Sequence, residues 1–135
     1  MRKQILLIPC LLFAALATAQ ETGHLNGSWK PEQQEFGGKP FPATVFEKYR
    51  LVINDTVYTY GGADIDQGAL KFGEGKMDIY GRKGVNAGKH FTAIYKFEGG
   101  KLYICYNLSG GDYPRAFETT SAPLLFLSVY TKEEK

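Results

Sequence analysis

The sequence predicts an all-β fold: a single antiparallel up-and-down β-barrel of about eight strands, with at most a short helical turn in its first long loop. Three observations carry that reading. Glycines recur at Gly37-Gly38, Gly61-Gly62, Gly73 and Gly75, Gly81 to Gly88, Gly99-Gly100 and Gly110-Gly111. They divide short runs rich in Tyr, Phe, Val, Ile and Thr, the residues that suit a pleated, half-buried surface. Two segments place matching apolar residues on either side of a tight turn, as hairpins do. No stretch after residue 19 sustains helical periodicity.

The first 19 residues stand apart. Arg2 and Lys3 precede an apolar run from Ile5 to Leu16, too short to span a bilayer, and Ala17-Thr18-Ala19 offers small residues for cleavage. This reads as a signal peptide cut after Ala19, which places the mature chain in the periplasm or outside the cell. Residues 20–135 then form a single domain, because the 116 of 135 residues that remain suit one core and leave no room for two. The 16 Lys and Arg, less Arg2 and Lys3, equal the 14 Asp and Glu, so the mature chain is formally neutral. It offers no electrostatic footprint for nucleic acid. No transmembrane span is expected in it. Cys10 leaves with the signal peptide and Cys105 stays alone, so packing rather than a disulfide must hold the fold.

The first strand runs from Gly27 to Phe36. A long connection, Gly37 to Lys48, follows and would lie across one mouth of a barrel. Within it Pro42 suits the first turn of a short helix reaching Lys48. Strands Tyr49 to Ile53 and Val57 to Tyr60 form a hairpin whose loop is Asn54-Asp55 or Asp55-Thr56. Either register puts Leu51 and Ile53 on the face of Tyr58 and Tyr60. Strands Ala63 to Phe72 and Lys76 to Tyr80 come next. The clearest hairpin joins Lys89 to Phe97 with Lys101 to Asn107. Its Gly99-Gly100 loop sets Phe97 opposite Leu102, Tyr95 opposite Ile104 and Ala93 opposite Tyr106. The last strand spans Leu124 to Lys132, and a short extra strand fits Ala116 to Thr119. About eight strands in a meander suffice to close a barrel.

Gly27-Ser28-Trp29 at the head of such a meander resembles the Gly-x-Trp opening of lipocalins. Further matching stretches are Leu25 to Pro31, Leu51-Val52-Ile53, Ala93-Ile94-Tyr95, Leu102 to Gly110 and Leu125 to Tyr130. With them the chain resembles a family of small secreted, lipocalin-like (calycin-type) proteins catalogued mainly in planctomycetes. The resemblance implies a fold and bacterial export; the family has no established activity. It also implies that Trp29, near Gly27, closes the narrow end of the barrel beneath Lys132, which stands where lipocalins carry an arginine. The Thr-Asp-Tyr element of the second lipocalin motif is missing.

Catalytic motifs find little support, so the chain is read as a non-enzyme that needs no metal or cofactor. His24 and His90 are far apart, and neither has a second histidine or a cysteine at metal-ligand spacing. Ser109 lacks the upstream glycine of a nucleophile elbow. Gly84 to His90 is one residue short of a phosphate-binding loop and ends on His90 where Ser or Thr belongs, so it reads as a glycine-rich connection. Asp64 and Asp66 share one face of a strand, with Asp78 as a candidate cross-strand neighbour. They form either a weak calcium site, an acid–base pair or, the plainer reading, a solvated outer face. Asp112-Tyr113-Pro114-Arg115 reads as an exposed loop carrying residue types common at interfaces.

Nine tyrosines and nine phenylalanines leave two functions open. In the first, Tyr58, Tyr60, Phe91, Tyr95, Phe97, Ile104 and Tyr106 wall a cavity for a small apolar or amphipathic ligand. Phe41, Val45 and Phe46 of the first connection then mark its way in. In the second, the rings fill the barrel and the protein is an envelope-associated module that works on a protein partner through its loops. Eight strands are just wide enough for either. The small residues that would spare a lumen are not identifiable in the sequence, so a filled interior is the expectation.

Overall fold

The computed structural model describes residues 25–62 and 65–134. The signal segment with its cleavage site, Cys10, His24 and Asp64 lie outside the described residues.

Among the described residues nine strands follow in chain order: β1 Gly27–Phe36, β2 Lys39–Pro40, β3 Arg50–Asn54, β4 Val57–Gly61, β5 Ile65–Gly73, β6 Lys76–Lys83, β7 His90–Glu98, β8 Lys101–Asn107 and β9 Leu125–Lys132. From β3 to β9 each strand pairs antiparallel with the next. β1 pairs with both β3 and β9, so eight strands close into a barrel and β2 is a two-residue appendage on the end of β1. The helical turn expected after Pro42 is a 3-10 turn at Ala43–Val45.

Local chemistry explains the pairing. The Gly99-Gly100 loop adopts positive φ at both residues (61° and 78°), the geometry whose twist matches two antiparallel strands. Across it Phe97 faces Leu102, Tyr95 faces Ile104 and Ala93 faces Tyr106. In the β3–β4 hairpin Leu51 faces Tyr60 and Ile53 faces Tyr58, leaving Asp55-Thr56 as the turn. Asp55 sits at φ 59°, a conformation its short polar side chain tolerates, and its N–H donates to the Asn26 side chain at 2.6 Å.

Two features depart from the expected pattern. In β1 the register with β9 shifts between Pro31 and Gln33. Trp29 points inward before the shift; after it the inward positions are Gln34 and Phe36. A bulge of this kind reverses the alternation of the strand. The second departure is residues 108–124, where Ala116 to Thr119 forms no strand. This segment is a strap across the outside of the barrel. Tyr113 donates to Asp78 on β6 at 2.6 Å, and Thr92 on β7 donates to the Asp112 carbonyl at 3.1 Å. Phe117 meets Tyr103 of β8 edge-on, and Thr119 donates to Glu35 of β1 at 2.6 Å. Asp112-Tyr113-Pro114-Arg115 is therefore not a free loop: Pro114 is buried and Tyr113 half-buried, and only Asp112 and Arg115 are exposed. Beneath the strap the outward-facing Thr92 and Cys105 are buried.

The barrel has two unlike ends. At one, Leu25, Trp29, Leu102 and Tyr95 are buried in a single core cluster. The other end carries the connections between β1 and β3, β4 and β5, β6 and β7, and β8 and β9. Among the described residues no helix is long and apolar enough to cross a membrane.

Candidate functional site

The closed end is built on Trp29. Its indole N–H donates to the Leu25 carbonyl at 2.9 Å, and only 3% of the residue is exposed. Trp29 pairs with Lys132 across β1 and β9, and the Lys132 ammonium stands 5.6 Å from the centre of the indole. Gly27 lies alongside at φ 135°, where a Cβ would fall 2.6 Å from Lys132 Cε. The backbone conformation there favours glycine, while the lysine end could swing aside for a larger residue. Gly27, Trp29 and Lys132 thus form one closing device.

Above it the barrel is not filled. A lumen of about 430 Å³ opens toward the end with the long connections. That corrects the expectation of a side-chain-filled interior. Space survives because large inward residues are paired with small ones: Tyr58 with Gly68, Tyr106 with Ala93, and Ile104 with Ser128. Gly68 is especially constrained, since a Cβ would clash with the Tyr80 carbonyl and come within 2.8 Å of the Tyr58 ring.

Of the residues expected to touch a ligand, Phe41, Tyr58, Tyr60, Phe91, Ile104 and Tyr106 line this lumen. Val45, Phe46, Tyr95 and Phe97 do not, and for these the expectation is corrected. Tyr95 points inward but below the cavity, edge-on to Phe72 at 6.2 Å. Phe97 is lower still, its ring 6.2 Å from Trp29, and is 40% exposed. Both occupy the half of β7 nearest the closed end. Val45 is turned to solvent. Phe46 is buried on the outer side of the barrel, in a second recess of about 300 Å³ shared with Leu127 and Val129. The first connection therefore packs largely against the wall. Phe41 alone among its three expected gate residues reaches the lumen, and its ring lies 6.2 Å from Phe126.

Residues missed by sequence reasoning complete the walls. Leu51, Ile53, Leu70, Met77 and Ile79 supply aliphatic surface; Phe36, Phe126 and Leu108 narrow the mouth. Leu51 and Ile53 had a visible signal, since they share a face with Tyr58 and Tyr60. Phe36 had none, because the bulge in β1 reverses its direction.

Polar groups are few and grouped. Tyr106 and Tyr130 share a hydrogen bond between their hydroxyls at 2.9 Å. Gln34 donates to the Tyr60 hydroxyl at 2.9 Å and to Ser128 at 3.2 Å. Burial pushes the Tyr58, Tyr60, Tyr106 and Tyr130 hydroxyls above the ordinary tyrosine range, so all four stay neutral. At the mouth Asp66 accepts from Asn86 at 2.8 Å and from Tyr58 at 3.3 Å. The reading of Asp66 as part of a solvated outer face is corrected: it lines the lumen.

Asp78 is no cross-strand neighbour of Asp66. It pairs with Lys71 and Thr92 farther along β6. On the outer wall it binds Tyr113 and lies 2.7 Å from Nε2 of His90, whose ring stacks on Tyr80. The Gly84 to His90 stretch turns tightly back on β6, with Gly88 N–H donating to the Gly81 carbonyl at 2.9 Å. It presents Asn86 to the mouth. Ser109 is spent locally, its hydroxyl donating to Asn107 at 2.6 Å.

No protein-family model, curated protein or solved structure matches this chain.

Proposed function

We propose that this protein is a non-enzymatic, exported, lipocalin-like carrier that holds one small apolar or amphipathic molecule in its barrel. The observation that carries the reading is the lumen of about 430 Å³, closed at the Trp29 end and open at the other. Its volume falls in the range of small-molecule sites, roughly 300–1,000 Å³. Its walls also have the composition of such sites: aliphatic and aromatic surface with a few oriented polar groups. Export rests on Arg2, Lys3, the apolar run and Ala17-Thr18-Ala19.

Titration with N-phenyl-1-naphthylamine, a neutral dye that brightens in apolar surroundings, tests the carrier reading. One saturable site per chain is expected, with a negative heat-capacity change and little dependence on salt. Mass spectrometry of organic extracts from protein purified in its native host should recover a copurifying small molecule. Absence of both would favour work through the loops on a protein partner. Export is checked separately: the secreted protein should begin at Gln20.

A further inference from the structure

We propose that the guest carries a cationic amine or another strongly donating nitrogen head, and that Asp66 receives it at the mouth of the lumen. This rests on the carrier reading and adds the chemical class of the ligand. Among the described residues that line the cavity, Asp66 is the one carboxylate and none is a lysine or arginine. Among the described residues Asp66 takes part in no ion pair.

Its existing partners are neutral donors. Asn86 holds Oδ2 at 2.8 Å, and Tyr58 approaches Oδ1 at 3.3 Å. A carboxylate has about four acceptor positions, so these two bonds orient Asp66 without exhausting it. A charge at the rim of an apolar cavity is poorly screened and is best satisfied by an opposite charge delivered by the guest. The surroundings suit the same head. Tyr58, Tyr60 and Phe91 also line the lumen, and aromatic faces attract ammonium groups. A carboxylate-headed guest of equal length would meet Asp66 with like charge. The lumen is thereby set against fatty acids and in favour of amines with an apolar body.

A matched series separates this inference from the carrier reading. Decylamine, decanol and decanoate share one chain and differ only in the head. Each is competed against N-phenyl-1-naphthylamine at neutral pH and low salt. Decylamine should displace the dye about tenfold more effectively than decanol, the scale of one charge-assisted hydrogen bond, and decanoate should be weakest. Asp66→Asn keeps the shape and should abolish the preference for decylamine over decanol. Decanol binding as well as decylamine on the wild type, or a preference that survives Asp66→Asn, overturns the assignment of Asp66 and leaves the carrier reading standing. Failure of all three compounds and the dye overturns both. Should Asp66→Asn not fold, the ranking on the wild-type protein decides alone.

Discussion

At the scale of single residues, the closing device separates a structural side chain from an accessory one. Trp29 buries its whole ring and satisfies its N–H on Leu25, so truncation to alanine opens a cavity and removes the bond to the Leu25 carbonyl. Trp29→Ala should cost about 3–5 kcal/mol, a large part of a small domain's stability. Lys132 is exposed and contributes chiefly through the indole face, so Lys132→Ala should cost only about 0.5–1 kcal/mol. Urea unfolding of the two variants checks the ratio. Equal losses would contradict the geometry. The wild-type emission, which comes from the only tryptophan, should be blue-shifted.

The buried hydroxyls make a second prediction at the same scale. Tyr58, Tyr60, Tyr106 and Tyr130 all hold their protons more tightly in the fold than in the unfolded chain, chiefly because burial disfavours the phenolate. Burial likewise raises the Cys105 thiol to about 11. Groups raised in this way contribute stability that is complete below their unfolded pKa and is lost as pH rises above it. Stability should therefore decline from about pH 9, as unfolded Cys105 begins to ionise, and steepen above about pH 10 with the tyrosines. Urea midpoints between pH 7 and 11 test this; a flat profile would mean the hydroxyls are hydrated.

At the scale of elements, the strap from 108 to 124 is held at named points and should open without the barrel. Asp78 is its anchor on β6. Burial alone would raise this carboxyl, but the hydrogen bonds from Tyr113 and His90 and the charges of His90 and Lys71 outweigh it and hold it below the ordinary range. A depressed carboxyl contributes stability above its unfolded pKa and loses it as pH falls, so the strap should loosen below about pH 4. At neutral pH Asp78→Asn should speed amide exchange several-fold in the strap and leave β7 and β8 protected. Uniform acceleration across all strands would show that strap and barrel open as one unit.

Elements also show what a sequence discloses and why. The β7–β8 hairpin was legible to the residue because a two-glycine loop fixes register, and register fixes every facing pair. Both ends of β1 were visible, yet its inward face was not, since one bulge residue exchanges the two sides. The strap was invisible for another reason. Its partners Glu35, Asp78, Thr92 and Tyr103 lie on four strands, and an irregular segment carries no period to read. Asp66 was misread because alternation assigns a charged residue to solvent, whereas this one turns into a mouth ringed by donors.

At the scale of the whole molecule, the lumen is a difference between two volumes, that of the barrel and that of its inward side chains. Sequence supplies only the second, and the pairing of large with small across strands decides the outcome. The walls therefore offer a direct test of whether the space is used. Ile79 lines the lumen from β6, only 5% exposed, with no polar partner to lose. Ile79→Trp should drive an indole into the cavity and weaken binding of N-phenyl-1-naphthylamine by about tenfold or more, equivalent to about 1.4 kcal/mol. Stability should fall little, because the added ring meets empty space rather than the tight packing that makes overfilling cost about 1–3 kcal/mol. A variant that loses stability yet binds unchanged would locate the dye outside the barrel, and the outer recess beside Phe46 would become the next place to look.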